Sequence, residues 1–225
     1  MSAGRRRLFV GGDAHQRVGS FKHEAFSFFT HAAGAVAAAI GLVLLLTHRA
    51  EGPVATVAFA VYGGTMIAMF ATSALHHVTH AEEGLLRRLD MSAIYLFIAG
   101  TYTPFCLLAV PPSWGIPMLV VIWAFALVGV VLRWTLPRTP RWASVSIYLV
   151  MGWMAVVGVY PLVVAFGWGP VATLALGGIL YTVGAIVYAS KRPDPWPRYV
   201  GYHGLWHVFV IGGALVHFLL VWRLA

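Results

Sequence analysis

The sequence predicts an all-α membrane protein, a bundle of seven transmembrane helices. Three observations point there. Of the 225 residues, 60% are hydrophobic and only 10% charged, whereas a soluble domain carries about 25% charged residues. The apolar residues gather into seven runs, each close to the roughly 20 residues that a helix needs to cross a hydrocarbon core about 30 Å thick. No run alternates apolar and polar residues as a barrel strand does, so helices are the spanning elements.

The first run, 26–47, follows the polar stretch from Gly11 to His23 and stops before Arg49 and Pro53. The second, 54–76, carries Gly63-Gly64, a pair that permits close helix packing. The third, 91–110, contains Thr101-Tyr102-Thr103-Pro104, where Pro104 should kink or loosen the backbone. Pro111-Pro112 sets off the fourth, 115–133, in which Leu119–Leu132 is apolar on every face. Pro137 and Pro140 precede the fifth, 142–162, and Gly169-Pro170 marks the start of the sixth, 168–189, which carries Gly177-Gly178. Pro193, Pro195 and Pro197 lead into the seventh, 201–222. Trp114, Trp142, Trp168, Trp196 and Trp222 stand near run ends, as interfacial anchors do. The expected organisation is a basic tail over 1–23 and a single transmembrane domain over 24–225.

Net charge is +8, and its placement excludes a nucleic-acid binder. Lys and Arg on one side of the runs number 13: Arg5, Arg6, Arg7, Arg17, Lys22, Arg87, Arg88, Arg133, Arg138, Arg141, Lys191, Arg192 and Arg198. The other side holds two, Arg49 and Arg223. By the positive-inside rule the N-terminus is cytoplasmic, the C-terminus is outside, and the protein is multi-pass in the cell membrane. That is opposite to G-protein-coupled receptors. Arg5-Arg6-Arg7-Leu8-Phe9-Val10 resembles a twin-arginine leader, but no apolar stretch follows it, so no cleaved signal is expected. The lone Cys106 excludes an intrachain disulfide.

Ionisable groups inside spans cost free energy and mark function. His76 and His77 end the second run, Asp90 opens the third, and His203 and His207 open the seventh. Alternating topology puts all five at one membrane depth, on the cytoplasmic side. His203 and His207 stand four apart on one helix face, as do Ser73 and His77. Three histidines with a carboxylate or water satisfy the four N/O ligands that zinc prefers. Plainer readings stand beside this one: the His pair bridging helices, Asp90 capping its helix, Ser73 bonding its own backbone. His76 is expected at the interface. His217, ten residues past His207 and about 15 Å along the helix, cannot share ligands with it. Glu24 and His31 share one face of the first helix, with either a supporting or an interhelical role. His15, His23, His48 and His80 read as loop residues.

The motifs Thr30-His31-Ala32-Ala33-Gly34-Ala35, Ser73-Ala74-Leu75-His76-His77, Leu89-Asp90-Met91-Ser92-Ala93-Ile94-Tyr95, Ala99-Gly100-Thr101-Tyr102-Thr103-Pro104-Phe105, Met151-Gly152-Trp153, Gly177-Gly178-Ile179-Leu180-Tyr181 and His203-Gly204-Leu205-Trp206-His207 run in order over nearly the whole chain. In this the sequence resembles the hemolysin III branch of the progestin and adipoQ receptor (PAQR) family. The resemblance implies a seven-helix bundle with zinc near the cytoplasmic face, ligated by His77, His203 and His207. It implies that Asp90 holds or activates a water at the metal and that Ser73 lies beside it. Met91 departs from close relatives, which often carry His there. Alkaline ceramidases in the wider group suggest hydrolysis of lipid amides, and bacterial members have been linked to membrane homeostasis.

The expected function is a zinc-dependent hydrolase acting on a lipid amide or ester, with Asp90 as general base and Ser73 steadying the water or oxyanion. Its partners are membrane lipids. The alternatives are a non-catalytic membrane-state sensor braced by structural zinc and a cytolytic hemolysin; continuous apolar helices with so few charges supply no evident ion path for the latter.

Overall fold

Seven apolar runs, each too long to hide inside so small a protein, can be satisfied only by packing against one another and against lipid. The computed structural model describes residues 13–79, 84–136 and 139–224. Among the described residues the helices are α1 (Asp13–His48), α2 (Gly52–Thr79), α3 (Leu85–Pro104), α4 (Pro112–Thr135), α5 (Arg141–Trp153), α6 (Val159–Phe166), α7 (Trp168–Ser190) and α8 (Gly201–Leu224), and no strand occurs. They make seven membrane-length spans, Glu24–His48, Gly52–Thr79, Leu85–Ala109, Pro112–Thr135, Trp142–Phe166, Trp168–Ser190 and Gly201–Arg223. Each overlaps a predicted run.

The spans form a ring. α1 packs on α2, α2 on α3, α3 on α4, α5 and α6 on α7, α7 on α8, and α8 returns to α1. The α3 span is the most enclosed, 61% buried over its most apolar stretch against 22% for α4. It therefore stands nearest the middle and carries its polar residues, Ser92, Thr101 and Thr103, out of reach of lipid. Outward faces are apolar: Val43, Val57, Val120, Val131, Val164 and Leu219 are all exposed. In lipid such faces need no cover. The packed interior centres on Phe59, Tyr62, Met66, Met69, Phe70 and Phe97.

Three boundaries differ from the sequence expectation, each for a local reason. α1 starts at Asp13, so His15 and His23 lie on a helix and not in a loop. The 13–23 stretch is polar and gives no apolar run, although it continues the helix. Likewise α3 starts at Leu85, with Gly84 as its N-cap. Asp90 therefore lies more than a turn inside the helix and does not cap it; Arg87-Arg88 had given that turn the look of a loop. The fifth span is longer than expected and is not one helix: a 3₁₀ segment, Met154–Gly158, joins α5 to α6. Pro161 has no N–H for the i−4 carbonyl, which loosens this turn.

Pro104 acts as its position predicts. The helix passes into a π-helical turn, Phe105–Ala109, immediately after it. Thr101 and Thr103 hydroxyls bond back to the carbonyls of Phe97 and Ala99, at 2.9 and 3.1 Å. The Tyr102 hydroxyl reaches the Met151 and Gly152 carbonyls at 2.7 and 2.8 Å and so ties α3 to the end of α5. The basic tail's Arg5, Arg6 and Arg7, with His80, lie outside the described residues.

Candidate metal centre and cavity

One end of the ring gathers the C-terminal part of α2, the N-terminal parts of α3 and α8, and the first membrane turns of α1. α2 ends in polar residues because it has reached the membrane boundary, and α8 begins with them for the same reason. His77 and His207 are buried, at 4% and 0% exposure, and His203 is half-buried. Their Nε2 atoms form a triangle: 3.3 Å from His77 to His207, 3.4 Å from His203 to His77, and 3.1 Å from His207 to His203. This is the group of described residues whose ligand atoms all lie close enough to share an ion.

The triangle fits a tetrahedral metal. Nitrogens bound at 2.0–2.1 Å around a tetrahedral ion stand about 3.3 Å apart. Without a cation, three ring nitrogens aimed at one point set lone pairs or N–H groups against each other. A single cation satisfies all three. The second nitrogen of His77 is also assigned: Nδ1–H donates to Glu24 Oε2 at 2.5 Å. That bond fixes the tautomer and leaves the Nε2 lone pair facing the triangle, the arrangement by which a carboxylate orients a metal-binding imidazole.

Glu24 thus bonds α1 to α2 through His77, as the interhelical reading has it, at the nitrogen that would orient a metal-binding imidazole. Its signal was depth alone, at the same membrane end as His77. Removing its charge should weaken the metal without unfolding the bundle. Glu24→Gln is expected to lower metal affinity about 10–100-fold, measured by competition with a chelating dye. Unchanged affinity would make the contact incidental.

Other groups surround the triangle. His31 of α1 is 1% exposed and stacks on His207, ring centroids 3.6 Å apart. Both its ring nitrogens are buried with no hydrogen-bond partner among the described residues. Asp90 lies within electrostatic reach of Ser73 and His77 across the α2–α3 contact. Ser73 is 3% exposed and stands on the same face of α2 as His77, one turn away. His76 is half-buried, lines the cavity described next, and so turns inward, not to the interface as expected. Tyr188 packs edge-on to His203 at 5.6 Å, a contact that no sequence spacing marks.

A cavity of about 220 Å³ opens beside the triangle. Its near wall carries His203, His31, Ser73 and Asp90; its length is lined by apolar side chains such as Met69, Phe97, Met118 and Leu149. It reaches Val110, Leu162 and Leu174 towards the opposite ends of the same helices. His217 sits there, away from the triangle, as its spacing from His207 predicts.

A family model described as Haemolysin-III related matches residues 20–218. The chain is 37% identical to Hemolysin-3 of Bacillus cereus over 204 residues, covering 89% of this chain and 90% of that protein. It is 35% identical to the Hemolysin-3 homolog of Bacillus subtilis (strain 168), covering 90% and 94%. The human Monocyte to macrophage differentiation factor is 27% identical over 211 residues, with 90% and 84% covered.

Proposed function

The chain belongs to the haemolysin-III-related family of multi-pass membrane proteins, within the wider PAQR group, and from that premise we propose that it is a zinc-dependent hydrolase of a lipid amide or ester. The observation that carries this reading is the cavity. An apolar cavity suited to an acyl chain reaches His203, one of three convergent imidazoles, with a carboxylate and a hydroxyl on the same wall. A purely structural metal needs no such approach.

His77, His203 and His207 would hold the ion, three neutral nitrogen ligands that leave room for a further one. Zinc bound there supplies a Lewis acid that polarises a carbonyl and lowers the pKa of water towards about 7. The remaining work belongs to the chain's own side chains. Glu24 locks the His77 imidazole. Asp90 receives a proton from the attacking water as general base and returns it to the leaving group. Ser73 steadies the water or donates to negative charge developing on the carbonyl oxygen. Apolar cavity walls hold the acyl chain and keep bulk water out.

The direct test is a turnover screen of purified protein against ceramides, lysolipids and acyl esters, with and without a chelator. Hydrolysis that stops on chelation and returns with zinc supports the proposal. A second reading has one observation in its favour. α2 and α8 do not pack closely on each other, each meeting α1 instead, so an ion on His77 and His203/His207 would staple them. That is what a membrane-state sensor with a bracing metal requires. Absence of zinc-dependent turnover on every lipid, together with a cellular phenotype lost in metal-site variants, favours the sensor.

The same proposal puts the metal end of the bundle at the cytoplasmic face, on the 13-to-2 charge split. A phosphatase fused after Ala225 should be active outside the cytoplasm. A C-terminal fusion whose reporter is active only in the cytoplasm would reverse the orientation.

A further inference from the structure

The far end of the cavity holds polar atoms that chemistry at the histidine triangle does not use. His217 is 7% exposed, and its Nε2–H donates to the Leu174 carbonyl at 3.1 Å. This bond leaves Nδ1 as a bare acceptor. Nδ1 is buried without a hydrogen-bond partner among the described residues, and so are the hydroxyls of Tyr181 and Tyr62. The Tyr181 ring stands edge-on to His217 at 5.5 Å, and both side chains line the cavity. Tyr62, wholly buried, lies within electrostatic reach of Tyr181. Gly177 makes room for the cluster: a Cβ there would collide with the His217 imidazole.

Buried polar atoms are nearly always paired, and an unpaired one costs stability. Two of the three, on Tyr181 and His217, belong to the wall of a mainly apolar cavity and form a site for a polar group carried in by a ligand. The group must give a proton to His217 Nδ1 and can accept one from Tyr181. A hydroxyl does both, and a plain methylene chain does neither. A charged group is disfavoured, because the charged residues lining the cavity, Arg87 and Asp90, both lie at the metal end.

We propose that Tyr181 and His217 form a subsite for a hydroxyl borne on the acyl chain of the lipid, remote from its carbonyl. The subsite rests on the reading of the cavity as the lipid site. His217 follows His207 by ten residues, which puts the hydroxyl about 15 Å from the metal end at 1.5 Å per residue. An ω-hydroxydodecanoyl chain has that reach. The chain's specificity is then for hydroxylated acyl groups over unmodified ones of equal length.

The test compares ω-hydroxydodecanoate with dodecanoate by calorimetric titration of the purified, metal-loaded protein in detergent. The hydroxy acid should bind about tenfold more tightly, the effect of one well-made buried hydrogen bond. Tyr181→Phe should bring the ratio close to one while leaving dodecanoate affinity and metal content unchanged. Because it deletes an unpaired hydroxyl, Tyr181→Phe should also melt no lower than wild type without ligand. Should it fail to fold, His217→Phe, which removes the acceptor, provides the same comparison. Equal binding of the two acids to wild type overturns the subsite and leaves the lipid cavity standing, its polar atoms serving bound water only. Binding of neither acid overturns the cavity reading and the subsite with it. A tenfold preference without any hydrolysis supports the subsite while removing the hydrolase.

Discussion

Replacing His207 with alanine is expected to empty the metal site, from one ion per chain to none detectable by elemental analysis. His207 is wholly buried and contributes two of the three sides of the triangle, 3.3 Å to His77 and 3.1 Å to His203. Two imidazoles from different helices cannot hold an ion against water and chelators as three can. The contrast with His217→Ala decides what the loss means. His217 is equally a buried histidine on α8, but it bonds a backbone carbonyl of α7 and not the triangle. It should keep its metal in full. If both variants lose metal alike, histidines on α8 act by holding the fold together and not as ligands. Metal loss confined to His207→Ala, with a lowered melting temperature that added zinc cannot restore, identifies the ligand. His77→Ala and His203→Ala should behave in the same way.

Much of this was legible in the chain. Seven runs became seven spans because, in lipid, backbone satisfaction forces helices wherever about 20 apolar residues occur together. His77, His203 and His207 meet because antiparallel spans bring the end of α2 and the start of α8 to one level. Hydropathy failed where helices run on through polar sequence, at 13–23 and at Leu85–Leu89, and so capping stood as an alternative role for Asp90. Hydropathy measures affinity for lipid, and helix propensity does not stop at the interface. Glu24 had the right depth, but nothing in its spacing showed that it would reach His77 and not another group. Gly63-Gly64 and Gly177-Gly178 read as packing pairs, and the first member of each is one: Gly63 meets Leu42 of α1 and Gly177 meets His217, while neither Gly64 nor Gly178 has a neighbour within 4 Å of its missing Cβ. The cavity itself had no sequence signature. A void is the difference between the space the helices enclose and the side chains that fill it, and only the assembled ring defines that.

Asp90→Asn is the substitution that separates chemistry from architecture. It keeps the size of the side chain and its capacity for hydrogen bonding while removing the ability to take a proton. Asp90 is not a member of the group whose ligand atoms converge on one point, so the variant should retain its metal and its melting behaviour. If Asp90 is the general base, lipid amide or ester turnover should fall by about 10²–10⁴-fold. The fall should appear in kcat and kcat/KM alike, because proton transfer belongs to the transition state and not to ground-state binding. Ser73→Ala should lose less, since water or a backbone N–H can replace part of what one hydroxyl donates. The ordering of the pair is the informative quantity. A larger loss in Ser73→Ala than in Asp90→Asn would move the essential group to the hydroxyl. Full activity in Asp90→Asn, with the metal still bound, would remove the carboxylate from the mechanism and leave the ion and its three histidines to act without a protein base.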